Sequence, residues 1–239
     1  MRNAWLLARR ELGAYLKSPM GYVIVAIVLF VDGMLFNVWA IGSTPRLSSH
    51  VLKDFFAIAT FMSMVSGVLL SMRLIAEEKQ LGTLTLLLTS PIHDREIILG
   101  KFLSALIFFT GMTLLTIYMP ALIFWHGKVS WGHIFGGYLG LVMLGALSIS
   151  IGLFASSIAR TQIVAAIAGG AIMTAVYLCY LGANVADPPV RSLMAFISPQ
   201  KHLQWQTGVL HLRDVIYYVT GTYLFLLAST HMLQARRWR

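Results

Sequence analysis

The stretch RLIAEEKQLGTLTLLLTSPIHDREIILGK, residues 73–101, decides how the rest of the chain is read. It opens on Arg73, Glu77, Glu78 and Lys79 and passes Gly82. It then runs through Thr83 to Thr89, seven uncharged residues of which four are leucines. Ser90-Pro91 interrupts it, and Asp94, Arg95 and Glu96 lead into a further apolar segment. Pro91 has no backbone donor and disfavours a helical conformation in the residue before it, so a helix stops or restarts there. Ser90 is equally suited to cap a new helix with proline at its first position. Strongly apolar segments flank the stretch on both sides. It reads as a charged loop between two membrane spans, with a short amphipathic helix over 77–91 lying at the cytoplasmic surface. Leu84, Leu87 and Leu88 fall on one face of that helix. Gly82 permits a sharp change of direction between the preceding span and the helix.

Composition agrees with this reading. The 239 residues are 58% hydrophobic and 11% charged, whereas a soluble domain carries about 25% charge. Mean hydropathy is +0.76. The expected fold is an all-α polytopic membrane protein, a single transmembrane domain over 1–239. Six spans, at 21–41, 55–72, 97–125, 133–156, 163–181 and 215–233, approach or exceed the roughly 20 residues needed to cross a bilayer. Pro120 is expected to kink the third near its outer end. Residues 1–19 combine Trp5, Leu6, Leu12 and Leu16 with Arg2, Arg9, Arg10 and Lys17. They read either as an interfacial helix on the cytoplasmic leaflet or as an ordinary basic flank. This N-terminal stretch lacks the order of a basic region, an apolar region and a small-residue cleavage site, so no removal is expected. Residues 182–213 lose the apolar regularity at Pro188-Pro189. They form an outer segment with short helices at 191–197 and 203–210. Asp214 suits the cap of the last span.

Charge sets the orientation. The formal net charge is +9, and the basic residues sit at span ends, which fits anionic headgroups better than nucleic acid. Six spans place both termini on one side. Arg2, Arg9, Arg10, Lys17, Arg73, Lys79, Arg95, Lys101, Arg160, Arg236, Arg237 and Arg239 then lie inside. Arg46, Lys53, Lys128, Arg191, Lys201 and Arg213 lie outside. This two-to-one bias among the 18 basic residues favours cytoplasmic termini.

Few side chains inside the apolar segments invite chemistry. Asp32 sits near the middle of the first span with Asn37 beyond it. A charge at that depth must face protein or water. The pair either lines a pathway or, for Asp32, is a neutral or paired group holding subunits together. Gly132, Gly136 and Gly140 recur every four residues, and Ser148, Gly152 and Ser156 repeat the spacing, as in close helix packing. The methionines read as packing, and His202 and His211 lack a third ligand at useful spacing. Cys179 is the one cysteine, so neither an intrachain disulfide nor a cysteine metal cluster is expected. There is no GxxxxGK[ST] loop, no HExxH and no Ser-His-Asp spacing. The chain is not expected to be an enzyme or to bind a cofactor. An ion-driven transporter would be expected to carry more buried ionisable groups than Asp32, and often an internal repeat.

The quoted loop also resembles a known one. Arg73, Glu77, Glu78, Gly82, Thr83, Leu87 and Pro91, followed by Gly100-Lys101, resemble the first cytoplasmic loop of permease subunits of type 2 ABC exporters. The branch most similar is the gliding-motility and nitrous-oxide-reductase-maturation type. The resemblance implies a permease of a bacterial cytoplasmic membrane, forming the path of an ATP-driven exporter. The 77–91 region would be its coupling helix, with Glu77, Glu78, Gly82, Thr83, Leu84, Leu87, Leu88 and Pro91 meeting a separate ABC ATPase subunit that holds ATP and magnesium. The helix at 1–19 would help cradle that subunit. A second permease copy or a related heterodimer partner, membrane lipids and an accessory extracytoplasmic subunit are the other implied partners. The first, second and fifth spans would line the path. Two rivals stay open: a non-transporting membrane anchor of a larger complex, and a surface helix whose leucines merely dip into lipid.

Overall fold

Proline, glycine and the charged stretch set the helix boundaries in the computed structural model. It describes residues 2–41, 47–85, 89, 92–126, 129–185, 187 and 190–237, and all regular structure among them is helical. Helix α1, Arg2–Lys17, buries Ala4, Leu7, Ala8 and Tyr15 along one stripe and leaves Trp5, Leu6 and Leu16 exposed on the other. Ser18, extended, and Pro19, in the first turn, then start α2, Pro19–Leu35, which continues as a π-helical stretch, Phe36–Ile41.

Helix α3, Ser48–Ser71, is separated from α4, Arg73–Gln80, only by Met72. The two form one apolar segment of 33 residues, about 50 Å at the helical rise and so longer than the roughly 30 Å hydrocarbon core. The helical segment begins before the expected Phe55 and carries the charged run onward as its own last turns. The expected surface helix over 77–91 is revised accordingly. Glu77 and Glu78 belong to a helix that ends at Gln80, with a turn at 81–83.

Helix α5, Asp94–Leu115, and α6, Tyr118–His126, replace one kinked third span. The break falls at Thr116 and Ile117, not at Pro120 itself. Pro120 cannot donate to the carbonyl of Thr116 and crowds it, so the chain there turns through shorter bonds, Thr116 N–H to Thr113 O and Met119 N–H to Thr116 O. Helix α7, Trp131–Ile158, is capped by Ser130, whose Oγ accepts from Gly132 N–H. Helix α8, Gln162–Val185, and α9, Val190–Ile197, follow. Two 3-10 turns come next, Pro199–His202 and Gln204–Thr207, where the sequence implied a helix over 203–210. Gly208, at φ 84°, ends the second. Helix α10, Leu212–Arg237, closes the fold.

Among the described residues, five segments are long and apolar enough to cross a membrane: Gly21–Val38, Ser48–Gln80, Asp94–Trp125, Trp131–Ile158 and Gln162–Ala183. Helix α10 has the length, 26 residues, but Tyr217, Tyr218, Thr220, Thr222 and Tyr223 dilute its hydropathy. It lies along α7, with Phe225 packed on Phe154 at 5.9 Å.

Helix α7 is the axis of the bundle. In its apolar stretch 72% is buried, against 17% for α8, which runs along the outside. Glycine lets neighbours close on it. A Cβ at Gly137 would lie 2.0 Å from Phe56, one at Gly145 2.1 Å from Phe109, and one at Gly152 1.9 Å from Ser71 Oγ. The expected row Gly132, Gly136, Gly140 is corrected in part. Gly140 bears on Trp205 of the outer segment, and Gly136 makes an ordinary contact with Gly208. Gly132 is exposed in the capped first turn, near only Ser130.

Candidate functional site

The charged helix α4 is fastened on three sides. Arg73 stacks over the Tyr15 ring at 4.6 Å and pairs with Glu77 at 3.2 Å. The Tyr15 hydroxyl donates to Leu70 O at 2.7 Å. Burial holds that phenol above its ordinary pKa, so it stays a donor. Glu78 turns the other way. Its Oε1 lies 2.8 Å from Nζ of Lys101, which is 3.4 Å from Glu11 Oε1 on α1. Lys101 is 1% exposed, so its charge is tolerable only because both carboxylates meet it. One ion cluster thus joins α1, α4 and α5.

The third fastening involves the end of α7. The last carbonyls of a helix have no partner within it and carry partial negative charge. Lys79 Nζ donates to Ser156 O at 3.1 Å, to Ala159 O at 2.9 Å, and to Ser157 O. An ammonium has three N–H groups, and here each has an acceptor. The first turn of α4 has the complementary shortage, of acceptors. Ser156 Oγ accepts from Ile75 N–H at 3.1 Å and Ala76 N–H at 2.9 Å, and it donates to Met72 O at 2.9 Å. One serine thus satisfies both sides of the break between α3 and α4.

Beyond this strut the chain turns sharply. Leu81 N–H bonds Glu77 O at 2.9 Å, and Gly82 N–H bonds Lys79 O at 3.3 Å. Gly82 sits at φ 72° with open space where a Cβ would be, so its need for glycine is conformational. Thr83 and Thr85 hydroxyls fold back onto Glu78 O and Gly82 O. Leu81, Thr83 and Thr85 are exposed, whereas Leu84 is 9% exposed and packs into its own chain's core. The leucine face that sequence assigned to a partner therefore begins with a residue facing inward. Leu87, Leu88 and Pro91 lie outside the described residues.

The first-span residues are separated from one another. Asp32 is buried beside a gap of about 10 Å³, near Ser63, Ser66, Thr113 and Thr116, room for about one water molecule. Asn37 is exposed. A different face of α3 lines a cavity of about 610 Å³ shared with α8. Met64, Val68, Met173 and Tyr177 form its walls, and Leu203, Gln200 and Gln206 of the outer segment reach its end. Gln206 donates to Thr60 Oγ1 at 2.7 Å across it.

Sequence reasoning missed three pairings. Lys101 was visible only as one more basic residue on the cytoplasmic side and as part of the Gly100-Lys101 pair. Lys79 was part of a charge run. The expected cap, Asp214, instead sits within the first turn of α10, its Oδ1 2.7 Å from Nδ1 of the fully buried His202, on which Tyr217 stacks at 4.1 Å. A histidine and an aspartate twelve positions apart across a turn were a usable signal. The three carbonyl acceptors of Lys79 have no side-chain signature. No group of three or more His, Cys, Asp or Glu positioned for a metal occurs among the described residues.

Compared with known proteins, residues 5–236 match the model of a family described as ABC-2 family transporter protein. No curated protein matches the chain.

Proposed function

This chain belongs to the ABC-2 family of transporter proteins, whose members are non-catalytic permease components, and we propose that it is the membrane half of an ATP-driven exporter whose segment 81–85, the turn at 81–83 and the residues just after it, receives a separate ATPase subunit. The observation that carries this reading is the strut. Segment α3–α4 is too long for the hydrocarbon core, and its protruding end is cross-tied to α1, α5 and α7. A turn mounted on such a support transmits a push, whereas a loose loop of the same length absorbs it. Glu77, Gly82 and Thr83 stand at its surface, and Leu87, Leu88 and Pro91 complete the coupling region. Glu78 and Leu84 support it from within.

In this reading α10 is the sixth span, since it runs beside α7, and both termini are cytoplasmic. The coupling turn then faces the cytoplasm, in a bacterial inner membrane. Two permease copies, identical or related, assemble with two ATPase subunits that carry ATP and magnesium. The likeness to the gliding-motility and nitrous-oxide-reductase-maturation branch rests on the loop residues from Arg73 to Lys101. Cargo passes beside the exposed helix α8, where the cavity shared with α3 offers apolar walls and the neutral polar groups Thr60, Thr174, Gln200 and Gln206. Asp32, on α2, lies against another face of α3 and Asn37 lies outside the cavity, so Asp32→Asn is expected to leave transport less affected than changes at Thr60 or Gln206.

Co-purification tests the proposal. The tagged permease expressed with its ATPase partner is expected to yield a stable complex with vanadate-sensitive ATP hydrolysis. Repeated isolation of the permease alone, with no ATPase bound, contradicts it.

A further inference from the structure

Glu78 and Lys79 are neighbours in sequence, but successive helical positions lie about 100° apart, so they face different neighbours. Glu78 meets Lys101 on α5, and Lys79 meets the end of α7. We propose that α4 is a rigid lever and that Lys79 and Lys101 are positioning residues, carrying displacement of the 81–85 segment sideways into α7 and α5. The inference rests on the coupling reading above. It adds the route that the displacement takes.

The route follows from what is fixed and what can bend. Directly up the chain, α4 meets α3 at Met72, whose backbone stays helical, but the hydrogen-bond ladder is diverted there, Ile75 and Ala76 N–H turning to Ser156 Oγ. A side chain inserted into the ladder makes this the point where the long segment bends most easily, so α4 tilts against α3 more readily than it parts from α7. Sideways there is no such freedom. All three Lys79 donors are taken by backbone carbonyls of Ser156, Ser157 and Ala159, and backbone atoms at a helix end move only with the helix. The other end of α4 is held to the same residue, Ser156, through Ile75 and Ala76 N–H. Eight residues of α4 thus have both ends pinned to the end of α7, the axis of the bundle. The Lys101 cluster adds α5 and, through Glu11, the interfacial helix α1. Movement at the turn therefore reaches the central helix before it reaches the rest of α3.

Spin-label distances in the permease–ATPase complex separate this route from a merely structural role. In a Cys179→Ser background, one cysteine is placed either at Leu81, on the turn, or at Ile158, at the end of α7. Distances between the two permease copies are measured without nucleotide and after vanadate trapping with magnesium and ATP. In the otherwise unchanged protein both pairs are expected to shift. With Lys79→Met the Leu81 pair is expected to keep its shift and the Ile158 pair to lose most of it, and Lys79→Arg to restore it. An undiminished Ile158 shift in Lys79→Met overturns the inference. If Lys79→Met does not assemble, Lys79→Gln takes its place, with a reduced Ile158 shift expected and an undiminished one again overturning it. No shift at Leu81 in the parent complex overturns the coupling reading itself, and this inference with it.

Discussion

Glu78→Lys is expected to abolish accumulation of folded protein in the membrane, whereas Glu77→Lys, one residue away, leaves the protein folded. The two glutamates share a helix turn but not an environment. Glu77 is 36% exposed and pairs with Arg73 near the surface, while Glu78 is 16% exposed and lies 2.8 Å from the buried Lys101. Removing one partner of a buried pair costs about 3–5 kcal/mol, and a second ammonium in its place adds repulsion. Folded proteins hold only about 5–15 kcal/mol in reserve. Glu11, at 3.4 Å from Lys101, remains and cannot satisfy two cations. Losing the Glu77 pair costs less, because Glu77 itself reaches solvent and Arg73, 12% exposed, keeps its stack on Tyr15. The check is the amount and melting temperature of detergent-solubilised protein, followed by size exclusion. The exchange Glu78→Lys with Lys101→Glu restores opposite charges and is expected to recover part of the loss. A Glu78→Lys protein as stable as the parent means that the Lys101 cluster is not closed in the folded chain.

The second large effect is expected at Gly137. A methyl group there would lie 2.0 Å from Phe56 Cζ. The ring cannot yield. Phe56 is fully buried, with Phe55, His133, Tyr138 and Trp205 around it at 5.2 to 6.2 Å. Gly137→Ala therefore forces α3 and α7 apart, an overpacking cost of about 1–3 kcal/mol or more. Gly132→Ala is the control. It has room and gains up to about 1 kcal/mol of helix propensity. The melting temperature is thus expected to fall for Gly137→Ala and to hold or rise for Gly132→Ala. A fall for both variants contradicts the packing assigned to Gly137.

These two cases also show what the sequence discloses. The interruption near Pro120 and the sharp turn at Gly82 are local consequences of ring closure and of a missing Cβ. They were legible because nothing distant competes with them. The apolar segments were legible because a bilayer needs a fixed length of helix. The environment of a charge was not. Glu78 looks like Glu77 until the chain brings Lys101 beside it, 23 positions on, and Lys79 finds its acceptors 77 to 80 positions away on carbonyls that every residue carries. Phase was lost as well. A four-residue glycine period marks a close-packed face but does not say which neighbour closes on it. Gly132 proved open, Gly140 takes the Trp205 ring as the row implied, and Gly137 and Gly145, off that row, take Phe56 and Phe109. Leu84 illustrates the same limit, since a leucine face suited to a partner is equally suited to the chain's own core. In the last helix, Asp214 had the position of a cap, but His202 offers it a stronger partner than a backbone N–H.

The central claim is that the turn after α4 is where the ATPase meets the membrane protein. Its most direct test is disulfide crosslinking in the assembled complex. The native Cys179 is replaced by serine, and single cysteines are placed at Thr83 or Thr85, both exposed, or at Trp125, which is 86% exposed near the opposite end of the third apolar segment. Each is tested against cysteines on the ATPase surface. The account predicts crosslinks from positions 83 and 85 and none from 125. An intact, ATP-hydrolysing complex that crosslinks through other sites on the permease, but never through 83 or 85, contradicts it.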